Sequence, residues 1–219
     1  MERGGKNLKS TLIGLVLTPG EQFERIKVHP IIWRTMGIIT LMYVLGMWMK
    51  SIGIETPGLG GLNTEEITRI ERFTSITMIV SGLFLPFFTV LISSVFLMSI
   101  VKIAGSKVTF KQLFSMNTYI MFIRAIGVVL NGIIFALIGG SAEMMYTSLG
   151  SFIDTRGAVS GLLERIEVFA IWSVILSAVG MQKVANLSKG LAWTIAILIF
   201  AIGVLFAMLG AIASGKVGA

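Results

Sequence analysis

Cysteine is absent from the 219 residues, histidine occurs once, proline four times, and charged side chains make up only 13% of the chain. Each shortage excludes something. Without cysteine there is no disulfide, no thiolate nucleophile and no cysteine-held metal. With one imidazole, His29, and scattered carboxylates, no convincing metal-ligand set can be assembled. His29 also lies before the first apolar stretch, far from Ser93, Ser173 and Ser177, so a serine nucleophile would lack its base. Gly58-Leu59-Gly60-Gly61 has no following lysine and does not make a phosphate loop. The expectation is a protein without a cofactor and without catalysis.

What the chain has instead is apolar surface. Hydrophobic residues reach 55% and the mean hydropathy is +0.89, whereas a soluble domain carries about 25% charge. The bilayer is the plausible solvent. Crossing ~30 Å of hydrocarbon takes about 20 helical residues. Five stretches qualify: Ile31–Met49, Phe73–Val101, Asn117–Ile138, Val168–Val184 and Leu191–Ala213. The second contains Pro86, where the missing N–H makes a kink expected. The last two are separated by only a short loop and must form a hairpin.

The formal charge of +7 could suggest nucleic acid, but the basic residues sit at the ends of apolar runs and form no continuous patch. No nucleic-acid partner is expected. Arg3, Lys6, Lys9, Arg25 and Lys27 precede the first span. Lys102, Lys107 and Lys111 follow the second, and Lys183 and Lys189 follow the fourth. Glu55, Glu65, Glu66, Glu71, Glu143, Asp154 and Glu164 fall in the other two loops. Positive-inside alternation then gives a cytoplasmic N-terminus and an outside C-terminus. The fold class is an all-α, polytopic membrane bundle of five helices. It divides into an amphipathic cytoplasmic segment, 1–30, and a transmembrane domain, 31–219. Charges recurring at Glu21, Glu24, Arg25 and Lys27 argue against a cleaved signal peptide.

Between the spans, caps are legible. Thr18-Pro19-Gly20-Glu21 predicts a helix start with a capping box, leading to an interfacial helix whose Phe23 and Ile26 share a lipid-facing side. Leu8, Leu12 and Leu15 make a weaker stripe upstream. Asn63-Thr64-Glu65-Glu66 predicts a helix running into the second span. Gly161-Leu162-Leu163 suggests an amphipathic turn.

Inside the membrane, Arg124 is the clear ionisable residue, read as about two turns into the third span, with no acid at matching depth. Asn117, Arg124 and Asn131 recur at sevens and share a helical face. That stripe either lines a polar path with Thr89 and Ser93, or Arg124 snorkels to the headgroups while the asparagines bridge helices. The second is the plainer reading. Thr89 with Ser93, and Ser173 with Ser177, read as back-bonding to carbonyls in close helix contacts. Glu164 and Glu167 read as flanking charge at a helix start. In the fifth span Gly203, Ala207 and Gly210 make a small-residue packing face, internal or oligomeric.

Three segments resemble the bacterial branch of the Yip1 membrane-protein family: Leu17–Ile26 with its Pro19 and Phe23, Ile103–Phe114, and Glu167–Ser173 opening a span that ends at Gly180. Two details depart from the usual pattern, Gly105-Ser106 for a glycine pair and Glu167 for an aspartate. The resemblance implies a five-helix bundle with a cytoplasmic N-terminus in a bacterial plasma membrane, and an accessory task.

The leading expectation is therefore a non-enzymatic scaffold or accessory subunit, working beside another integral membrane protein such as a transporter, or beside itself. Thr109 would cap the third span while Lys107, Phe110, Lys111 and Phe23 meet anionic lipid or an acidic partner. The rival is a small carrier or channel for an anionic or amphipathic solute, using Asn117, Arg124, Asn131, Thr89 and Ser93.

Overall fold

A computed structural model describes residues 10–52, 63–139, 144–153, 155 and 157–213. Leu8, the Gly58–Gly61 stretch, Glu55, Glu143 and Asp154 lie outside the described residues. The described chain is all-helical: α1 Leu12–Leu17, α2 Pro19–Val28, α3 Trp33–Ile52, α4 Thr64–Ile103, α5 Phe110–Ile138, α6 Ala158–Arg165, α7 Val168–Val184 and α8 Lys189–Ala213. A 3-10 turn, Leu149–Ser151, precedes α6, and Ser148 pairs with Glu167 in an isolated β-bridge.

Four helices, α3, α4, α5 and α8, are long and apolar enough to cross a membrane. The fourth expected span, α7, is apolar but shorter, at 17 residues. The caps explain where several helices begin. Asn63 and Glu66 form a reciprocal box that starts α4, and Thr109 and Gln112 form another that starts α5. α4 continues unbroken through Pro86 for 40 residues, about 60 Å at 1.5 Å per residue.

The box expected at Thr18 does not form. Thr18 also ends α1, and both its N–H (2.8 Å) and its hydroxyl (3.4 Å) donate to the Gly14 carbonyl, which turns the side chain away from Glu21. Glu21 instead lies 3.8 Å from Arg25 on the wet face.

α5 is the axis of the bundle, packing on α3, α4 and α7, while α8 packs on α6 and α7. Among the four long helices the tightest crossing is α3 on α5. A Cβ at Gly132 would lie 2.7 Å from the Gly46 carbonyl oxygen, and one at Gly46 would lie 2.8 Å from the Val128 oxygen. Nearby, a Cβ at Gly82 of α4 would approach the Tyr43 oxygen of α3 to 3.1 Å.

The small-residue face of α8 is met at one point within the chain. Gly161 of α6 seats on the Ala207 backbone, but Gly203 and Gly210 have open space where a Cβ would be. Small side chains on a helix make close approach available; only a partner backbone makes it real.

Candidate functional site

Two regions carry the chemistry, one at the lysine-rich end of the bundle and one halfway along it. At the lysine-rich end, three segments are stitched together. Ser106 donates to the Ala185 carbonyl (2.6 Å) and Gln112 Nε2 to the Lys27 carbonyl (2.7 Å). Lys27 Nζ donates to Asn186 Oδ1, and Lys183 Nζ to Glu24 Oε1, each at 2.7 Å. The α4–α5 loop, the end of α2 and the α7–α8 turn thus form one platform. Val108 is buried beneath it, and Gly105 (φ 78°) provides the left-handed residue that ends α4. The Lys183 ammonium beside Glu24 holds its carboxyl below the usual carboxylate range, first by hydrogen bonding and then by charge. A carboxylate lowered this way contributes above its ordinary pKa and stops contributing as pH falls through its folded value. The α2–α7 contact is therefore intact at neutral pH.

Lys102, Lys107, Lys111 and Lys189 project from the platform, exposed and without a hydrogen bond or ion pair among the described residues. Thr109 caps α5 as the sequence suggests, and Phe110 rests on Phe114 with ring centroids 5.8 Å apart. Phe23 is not on this surface. It is 0% exposed, packed beside Gly180 and Met116, so α2 turns its apolar side into the bundle instead of toward lipid. Ser10 donates to the Tyr119 hydroxyl (2.6 Å) and holds the start of α1 against α5.

The second region centres on Arg124. Because α5 begins at Phe110 and not near Asn117, Arg124 lies 14 residues into a 29-residue helix, ~21 Å from its start. That is the middle of the helix, about four turns from its start and not two. Two adjoining cavities meet at it. One, of about 140 Å³, is lined by Thr89, Ser93, Asn117, Arg124 and Ser177 among others. The other, of about 90 Å³, is lined by Arg124, Arg165, Ser173, Ser177 and Gly203. Their walls are α4 and α8, which are not among the packed helix pairs, and their floor is α5 and α7.

Four of the five intramembrane polar residues singled out in the sequence therefore meet in one groove, and Asn131 does not. Its amide donates to the Gly127 carbonyl (2.8 Å) and to Thr147 Oγ1 (2.7 Å), and its oxygen accepts from the Thr147 N–H (3.2 Å). Thr147 Oγ1 donates onward to Glu167 Oε1 at 2.7 Å. Glu167 is buried, and its charge acts on Lys50 and Arg124. So an acid does lie near Arg124, a helical turn away beside Gly127, contrary to the sequence expectation. Its carboxylate is occupied by Thr147 and makes no ion pair with Arg124. The loop geometry that brings Thr147 to Glu167 leaves no pattern in the sequence. Ser173 and Ser177 donate to the Phe169 and Ser173 carbonyls, as back-bonding predicts. Asn117 donates to Ser94 Oγ (2.9 Å).

No group of three or more metal-ligating side chains occurs among the described residues. The profile of the Yip1 domain matches residues 13–211. Membrane protein YknW of Bacillus subtilis (strain 168) is 29% identical over 221 aligned positions, which cover 96% of this chain and 94% of that protein. No solved structure matches the chain.

Proposed function

This chain belongs to the Yip1 domain family, and from that premise we propose that it is a non-enzymatic scaffold or accessory protein of a bacterial plasma membrane. It crosses the bilayer five times, N-terminus inside and C-terminus outside. It engages anionic headgroups and an acidic region of another membrane protein through its lysine platform. The observation that carries this reading is the stitching of Ser106 to Ala185 and of Gln112 to Lys27. It fixes four unpaired lysines on one ordered surface, and about 1 kcal/mol of attraction per basic residue near an anionic surface makes such a set effective.

Lys107→Glu with Lys111→Glu should reduce co-sedimentation with vesicles of phosphatidylglycerol by at least tenfold at low salt, while vesicles of phosphatidylcholine bind weakly in either case. Unchanged binding would remove the platform from the mechanism.

The fifth crossing is α7, whose 17 residues are at the short end of the spanning range. Its support is the alternation of lysine-rich and acidic loops that a crossing at α7 preserves. The absence of native cysteine makes the topology directly measurable. In intact cells, Thr64→Cys should react with a membrane-impermeant maleimide and Lys107→Cys should not. The opposite labelling would invert the orientation.

A further inference from the structure

We propose that the groove at Arg124 is a binding site for the oxyanion, phosphate or carboxylate, of a membrane amphiphile whose chain lies between α4 and α8. The lysine platform is a separate feature, and neither reading depends on the other.

Charge comes first. Arg124 and Arg165 line the same cavity, and neither makes a hydrogen bond or ion pair among the described residues. The nearest acid, Glu167, is taken by Thr147. A cation in hydrocarbon without a partner costs several kcal/mol, and among the described residues neither guanidinium has an acid in ion-pair contact. Two guanidiniums present planar donor forks suited to oxyanions.

The remaining donors and the available space narrow the ligand. Ser173 and Ser177 have spent their hydroxyl protons on carbonyls. Thr89 and Ser93 have not, and Asn117 has spent one amide proton of two, so the donors left in the groove are Arg124, Arg165, Thr89, Ser93 and Asn117. A cavity of about 90 Å³ far exceeds the ~10–15 Å³ that one water requires. It accommodates a hydrated anionic group, not a single solvent molecule.

The groove also opens sideways. Phe96 and Leu97 on α4 face Ile199 across the cavity, and Phe200 of α8 lines the adjoining one. Among the described residues α4 and α8 do not pack closely on one another. A headgroup at Arg124 could therefore keep its acyl chain in hydrocarbon. A soluble anion would gain the arginines but leave these apolar walls unfilled.

The test uses the full chain, purified in dodecyl maltoside, with three probes: 1-oleoyl lysophosphatidic acid, monoolein and inorganic phosphate. Bound ligand is counted by native mass spectrometry, and thermal unfolding is followed in parallel. Lysophosphatidic acid should bind one per chain and raise the melting temperature saturably, at least tenfold more tightly than either other probe. Arg124→Leu should lose that binding tenfold or more. Without ligand it should melt no lower than the parent, because an uncompensated intramembrane charge has been removed. This separates loss of the site from loss of the fold. Arg124→Lys should retain part of the affinity. Equal binding of monoolein, or full binding by Arg124→Leu, would overturn the site. Equal binding of inorganic phosphate would overturn the amphiphile assignment.

Discussion

Gly132→Val should destabilise the bundle by about 3 kcal/mol, the upper end of the cost of overpacking, and Gly46→Val should do nearly the same. Each new Cβ would meet a backbone oxygen of the facing helix at less than 3 Å. A side chain can rotate away from an intruding methyl, but a carbonyl oxygen moves only with its helix. α3 and α5 would have to separate, and that crossing is the largest interhelical contact in the chain. The two substitutions enter one shared contact, so the double variant should cost less than the sum. Gly203→Ala and Gly210→Ala are the controls: both positions open onto space, and changes within about 0.5 kcal/mol are expected there. The comparison is read from thermal or detergent-induced unfolding in micelles. If Gly132→Val melts with the controls, the α3–α5 crossing is not where the structure has it.

Phe23→Ala should have the second-largest effect, about 3 kcal/mol, and it should be local. The ring is fully buried next to Met116 and Gly180, with Leu15, Ile26 and Met181 in the same cluster. Truncation leaves a void that α5 and α7, held by their own contacts, cannot close. α2 is joined to the rest through this ring, buried Ile26, the Gln112 bond to the Lys27 carbonyl and exposed polar contacts at Glu24 and Lys27. Exposed contacts of that kind contribute little individually. The expected signature is faster amide exchange and easier proteolysis within residues 10–28, with the spans keeping their protection. Glu24→Gln should show the same pattern far more weakly. Unchanged protection of α2 in Phe23→Ala would mean that something other than this ring holds it.

Four of the five expected spans correspond to helices long and apolar enough to cross, because the bilayer asks for length and apolarity, and both are visible along a single chain. The caps at Asn63 and Thr109 were legible for a similar reason: a capping box is complete within four residues. Helix starts without a break in polarity were harder: the polar stretch around Asn117 resembles a helix end, whereas α5 starts at Phe110 and carries Phe110 to Met116 ahead of it. Contacts between helices were hardest. Gly203, Ala207 and Gly210 have the spacing of a packing motif, yet two of the three meet nothing. Gly46 and Gly132, 86 residues apart, lack any spacing signature and form the closest backbone approach between the spans. Phe23 followed the amphipathic pattern correctly, but periodicity identifies an apolar face without saying whether lipid or protein covers it. Glu167 looked like flanking charge because its partner, Thr147, comes from a loop.

The uninterrupted helix α4 is held unevenly along its length. From Gly82 onward Val90, Ser94, Leu97 and Val101 are buried and Asn117 donates to Ser94. No residue of α4 before Gly82 is buried, over an arm of ~27 Å to Thr64 at 1.5 Å per residue. α4 is thus a beam clamped over the half that carries Lys102, and a tilt at the acidic end is damped before it reaches the lysine platform or the arginine groove.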